Sequence, residues 1–184
     1  MIVKINQTKA IEASGVLLRL TKYRKMDRKR LLALLFLAER ESIHRTGRPM
    51  IGGRIAALPF GPIHSEVYNL IKGGGHRQAE WSRHFENEEY RIRLSDDDLG
   101  VLSLSRFEVD LLNEVSERFA GHGTWDVAMA SHTEEYEKNY KKNSSTTIPF
   151  EDMIEGVKRS SDSASILQDV SDSMAFDAFF GTHQ

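Results

Sequence analysis

The sequence predicts a mainly α-helical α+β fold, a compact helical domain with a small β-hairpin and short strands. Three observations lead there. Leu31, Leu32, Leu35, Phe36 and Ile43 recur at three- and four-residue steps, the mark of a helix with one wide buried stripe. Phe107, Val109, Leu111, Leu112, Val115 and Phe119 repeat that spacing behind a serine cap. Only Tyr90, Ile92 and Leu94, alternating with Arg91 and Arg93, show the period of two expected of a half-buried strand.

Taken in order, a first helix is expected from about Thr8 to Lys22, with Ile11, Val16, Leu18 and Leu20 on its apolar face. Asp27 then serves as N-cap or first-turn acid of the strong helix, which stops near Gly47 ahead of Pro49. Gly52-Gly53, between short apolar pieces, reads as a two-residue hairpin turn. Pro59 and Pro62 stiffen the segment Leu58 to Ile63, and a helix carrying Val67, Leu70 and Ile71 follows from Pro62–Ser65 to the glycines at 73–75. Ser103 or Ser105 caps the next helix, and Thr124 caps a short one running to about His132. Asn143 to Thr147 reads as a polar loop, Pro149 starts a helix to Val157, and the serines at 160–165 read as a linker. A last amphipathic piece holds Ile166, Val170, Met174 and Phe179. The expected organisation is a domain over residues 1–158, with a linker and amphipathic helix over 159–184 packed on it or across a dimer.

With 184 residues, 40% hydrophobic and 28% charged, the chain has the length and composition of one soluble domain with a real core. It has no cysteine, which removes disulfides, thiolate zinc sites and cysteine nucleophiles and suits a reducing cytoplasm. The first twenty residues lack the apolar run of a secretory signal. The longest apolar stretch, Leu31 to Ala38, falls well short of the roughly 20 residues of a membrane span. A cytoplasmic location is expected.

The net charge of −2 conceals an asymmetry. Arg19, Lys22, Arg24, Lys25, Arg28, Lys29 and Arg30 crowd into twelve positions opposed by Asp27 alone. From Ser160 onward there are four aspartates (162, 169, 172 and 177) and no Lys or Arg. Either the two ends pair internally, or they form two surfaces with different partners. The basic run is a solvated helix end, or a phosphate-contacting patch for nucleic acid with Tyr23 as its one aromatic.

Motifs for chemistry are absent. Gly73-Gly74-Gly75 precedes His76 and Arg77, not the Lys-Ser/Thr ending with which a phosphate loop holds its phosphates and magnesium. The seven histidines include no pair one helical turn apart with an acid between, so no metal site and no cofactor is expected. No serine sits in Gly-x-Ser-x-Gly, and no carboxylate pair stands out for acid–base work, so the chain is read as a binding protein without enzymatic activity.

Several motifs recur in a familiar order. They are Met26-Asp27 leading into Leu31–Arg40, then Gly47-Arg48-Pro49, then Ala56-Ala-Leu-Pro-Phe-Gly-Pro-Ile63 and Ser65-Glu-Val-Tyr68. Leu104-Ser105 with Glu108, Ser131-His132-Thr133 and Ile148-Pro149-Phe150-Glu151-Asp152 follow. Over roughly residues 8–158 this resembles the Panacea domain of SocA-like antitoxins and phage-associated proteins. One departure stands out: where that family has Pro-Trp a few residues after the His, this chain has Glu135-Tyr136, which leaves Tyr136 or Tyr140 as the aromatic. The resemblance implies an antitoxin that binds and neutralises a protein toxin, in some members also handing it to an ATP-dependent protease. Partner anchors are then sought among Arg54, Phe60, Tyr68 and Trp81, each of which is otherwise a core or turn residue.

Overall fold

In the computed structural model, which describes residues 1–95 and 98–181, the long leucine-rich helix is the hub. Helix α1 (Gln7–Arg19) is capped by Asn6, whose side chain accepts from Lys9 N at 3.0 Å. Strand β1 (Lys25–Asp27) leads directly into α2 (Arg28–Thr46), where the Asp27 carboxylate accepts from Lys29 N at 2.7 Å. Gly47 ends α2 with φ of 73°, a left-handed turn open to glycine at little cost. From Leu31 to Phe36 every residue of α2 is buried, so the expected stripe widens to the whole circumference. A helix apolar all round must be enclosed. Accordingly α1, α5 (Arg106–Arg118), α6 (Thr124–Ala130) and α8 (Phe150–Gly156) pack around α2.

Two antiparallel three-stranded sheets flank this core. One has the order β1-β5-β4, with β4 (Phe85–Glu88) and β5 (Arg91–Leu94) in register Asn87↔Ile92 and β1 against β5 at Met26↔Ile92. The other has the order β3-β2-β6, built from β2 (Ile55–Leu58), β3 (Gly61–His64) and β6 (Thr146–Ile148), with Ala56 opposite both Ile63 and Thr147. Helices α3 (Ser65–Ile71), α4 (Gln78–His84) and α7 (Glu134–Asn139) complete the body. After a 3-10 turn at Ser160–Asp162, α9 (Ser163–Phe180) buries Ile166 and Val170 in an apolar cluster with Phe36, Ile43, Ile154 and Val157.

Sequence and structure part company at identifiable places. The hairpin turn is not Gly52-Gly53 but Pro59-Phe60, between β2 and β3. The two glycines instead shape a left-handed loop, φ 70° and 86°, that bridges to Val3. Residues 62–64 are strand and not the start of α3; the polar loop ends in β6; and the serine linker is the 3-10 turn at Ser160–Asp162 followed by the first turn of α9. Ser105, not Ser103, caps α5 through a reciprocal capping box with Glu108. Thr124 is the first residue of α6 and Gly123 its cap, with the Asp126 carboxylate accepting from Gly123 N.

Candidate functional site: a groove beside the β2–β3 hairpin

The site is built from the loop that precedes the hairpin. Glu39 on α2 is 2% exposed, and its carboxylate accepts three backbone N–H groups, Met50 at 3.0 Å, Ile51 at 2.7 Å and Gly52 at 2.8 Å. A buried charge is tolerable only when so paired, and this one ties the loop to the core helix. The fully buried His64 hydrogen-bonds Gly52 O through Nδ1 at 3.0 Å, linking the same loop to β3. Glu66 then accepts from Arg54 N with both oxygens, at 3.1 and 3.2 Å, while Ser65 N donates to Arg54 O at 2.9 Å. The Arg54 backbone is therefore held on both sides, and its exposed side chain reaches Ser65 Oγ at 3.3 Å.

The far end of the hairpin is held from below. Tyr136 is 1% exposed and donates its hydroxyl to Leu58 O at 2.8 Å, and burial pushes that phenol up to about 12. The His132 ring lies 4.4 Å from the Tyr136 ring, and Tyr140 stacks on Tyr136 at 5.4 Å. Gly61 has φ of 120°, and a Cβ there would meet Ser131 Oγ at 2.7 Å, so this turn admits glycine alone. Arg40 pairs with the buried Glu135 at 2.7 Å, whose second oxygen lies against Gly156 with no hydrogen bond among the described residues.

Between these two anchorages the outer face of the sheet opens as a groove of about 520 Å³. Ala56, Leu58 and Ile63 form an apolar floor, and Arg54, Ser65, Glu66, Tyr68, Asn69 and Ser145 surround it. Half-buried Tyr68, with Lys72 Nζ 5.2 Å from its ring centre, forms one wall. A larger furrow of about 760 Å³ runs between α9 and the N-terminal segment, but its lining mixes polar and apolar side chains and contains none of the four expected anchors.

Of those anchors, Arg54 and Tyr68 come together in the groove. Phe60 stands at the tip of the same hairpin, 56% exposed, with Lys29 Nζ 4.1 Å above its ring. Trp81 is elsewhere: at 2% exposure, 4.2 Å from the Phe85 ring, it is a core residue. The floor residues Ala56, Leu58 and Ile63 belong to a motif read in the sequence but were not among the expected anchors. Their signal was the alternation on either side of Pro59-Phe60, which Gly52-Gly53 obscured.

The basic segment is partly consumed by the fold. Arg19 donates to Leu99 O, Lys25 pairs with Glu88 at 3.1 Å, and Lys29 covers Phe60. Arg30 donates to His122 O at 2.5 Å and Phe119 O at 2.8 Å just beyond α5, where burial lowers its pKa. The side chains of Lys22, Arg24 and Arg28 are exposed, with Lys22 Nζ 5.0 Å from the Tyr23 ring centre. No group of three or more His, Asp or Glu side chains among the described residues is arranged to hold a metal ion. No helix is long and apolar enough to cross a membrane among the described residues.

A family model described as antitoxin SocA-like, Panacea domain, matches residues 31–138. The chain belongs to this family. The match is narrower than the span of motifs recognised in the sequence. It takes in the Glu39 anchorage, the hairpin, α3 and all of the groove except Ser145. The Panacea signature Leu58-Pro-Phe-Gly-Pro62 is the hairpin turn itself, and the aromatic beneath it, Tyr136, lies within the matched residues as well. No curated protein and no solved structure gives a significant match to the chain.

Proposed function

We propose that this Panacea-domain protein is the antitoxin of a toxin–antitoxin pair and that it grips its toxin through the groove walled by Arg54 and Tyr68. The observation that carries the reading is an exposed, apolar-floored groove held rigidly at both ends inside the family-matched residues. Docking there would cover a working surface of the toxin without any chemistry by the antitoxin, and Phe60 at the hairpin tip extends the contact surface. Rigid surfaces lose little freedom on binding, so affinity concentrates in a few buried anchors. Steric neutralisation is the primary mechanism. Delivery of the toxin to an ATP-dependent protease is distinguished from it by the toxin's half-life, which shortens only in the second case.

The test is co-expression with the protein encoded next to this gene. The neighbour alone should arrest growth, and this chain should restore it through a co-purifying complex. Tyr68→Ala with Arg54→Ala should weaken the complex by about 30-fold or more, the effect of removing an interface hot spot. Because Tyr68 also packs on the core, Ser145→Arg is the control: it sits in an exposed loop and fills the groove from its rim. Full rescue by a folded Ser145→Arg variant would move the toxin surface elsewhere. The nucleic-acid reading of the basic run is weaker in the folded protein, since Arg19, Lys25, Lys29 and Arg30 all make contacts within the chain. A salt-sensitive mobility shift would revive it.

A further inference from the structure

Two exposed surfaces outside the groove have matching chemistry. The first is the outer side of α9. Its inner row, Ile166, Val170 and Met174, faces the body, with Lys4 N 3.4 Å from Met174 Sδ. At about 100° per residue, Asp172, Phe176 and Phe180 form a second row on the far side. Phe176 is 62% exposed and Phe180 59%, and their rings touch at 4.5 Å. Asp172 is exposed on this side and accepts from Gln168 Nε2 at 2.8 Å, while exposed Asp169 stands at the flank of α9, where it borders furrows that Lys9 and Arg48 also line; no ion pair from either aspartate is found among the described residues.

The second surface is the turn between α1 and α2. Leu20 is 49% exposed, Tyr23 71% and Tyr90 48%. The turn is joined to the β4–β5 loop by Arg28 N donating to Tyr90 O at 3.0 Å. Tyr23 and Arg24 both adopt left-handed backbone, φ 63° and 52°, and the turn displays the Tyr23 ring to solvent. Lys22 lies 5.0 Å from that ring and Arg91 lies 5.3 Å from Tyr90, while Arg28 is exposed beside them.

One molecule cannot bring the two surfaces together. Helix α9 lies against the N-terminal segment that leads into α1, whereas the basic turn follows the other end of α1, about 18 Å further along its axis. We propose that a second copy of the chain supplies the partner: the acidic aromatic face of α9 docks on the basic aromatic turn of the other copy, reciprocally, in a two-fold dimer. Each contact buries aromatic rings of both copies inside a ring of opposite charges, and the small net charge of −2 opposes the association little. The inference does not depend on toxin binding, and is read on the purified chain alone.

The test is the mass in solution by light scattering at low and high salt. Wild-type protein should run as two copies at low salt and dissociate at least tenfold more readily at high salt. Asp169→Lys with Asp172→Lys reverses one surface; Lys22→Glu with Arg28→Glu reverses the other, and both pairs are exposed enough to leave the fold intact. Each double variant alone should be monomeric. Mixed, they should form a 1:1 dimer, because both contacts in that pair are again oppositely charged. Phe176→Ser with Phe180→Ser should be monomeric at every salt concentration. A wild-type monomer at low salt, a dimer indifferent to both reversals, or a mixture that fails to reassemble would each overturn the proposal.

Discussion

Replacing Glu39 by alanine isolates the interaction on which the groove is built. The substitution leaves the buried N–H groups of Met50, Ile51 and Gly52 without an acceptor. Each unpaired donor costs about 1–3 kcal/mol, but loop relaxation and water entry recover part of this, and the desolvation penalty of the carboxylate is also lifted. A net loss of about 3–5 kcal/mol remains, against a typical total of roughly 5–15 kcal/mol. At about 2–4 °C per kcal/mol for a chain of this size, Tm should fall by at least about 6 °C. Glu39→Gln keeps one oxygen, enough for the Met50 and Ile51 donors, and turns an NH2 group toward Gly52 N. Its loss should therefore be smaller, about 2 kcal/mol. The assay is urea unfolding followed by circular dichroism, where a lower midpoint at constant m isolates the change in stability. An alanine variant melting within 2 °C of wild type (about 1 kcal/mol) would refute the claim that this carboxylate holds the loop.

Three further outcomes are expected. Gly61→Ala should cost about 2 kcal/mol or more, because it strains a φ of 120° and drives a Cβ toward Ser131 Oγ; an unchanged melt would show that the turn relaxes. Leu35→Ala, at a position 0% exposed in the middle of α2, should cost about 2–5 kcal/mol in the same urea assay, and a smaller loss would mean the core collapses into the cavity. In acid, burial pushes the Asp152 carboxyl up, but hydrogen bonds from Lys138 and Asn139 outweigh it and hold the carboxyl below its ordinary value. Glu151 is also held low, first by the N-terminal ammonium. A depressed folded-state pKa gives stability that is complete above the ordinary carboxylate value and is lost as pH falls through the depressed one. Tm should thus be flat from neutral pH to about 5 and drop below about 4, and Asp152→Asn should reduce that acid slope.

The helices were legible because their information is local. Asp27, Gly47 and the leucines between them specify where α2 starts, stops and buries, and Ser105 with Glu108 does the same for α5. The Panacea motifs identified the family for the same reason: Leu58-Pro-Phe-Gly-Pro62 is a run of neighbours whose backbone constraints act on one another. The groove was only half legible. Arg54 and Tyr68 were picked out as residue types suited to an interface, but their meeting depends on Glu39, thirteen positions before Gly52, accepting the N–H groups of a loop. Trp81 carried the same sequence signal and went to the core, because burial is set by what packs against a side chain and not by its chemistry. The charge asymmetry was plain in the sequence; that α9 lies against the N-terminal segment while the basic turn follows the other end of α1 was a matter for tertiary structure. Local propensity is written along the chain, whereas the acceptor for a loop N–H and the neighbour of a charge are chosen by distance in the folded molecule.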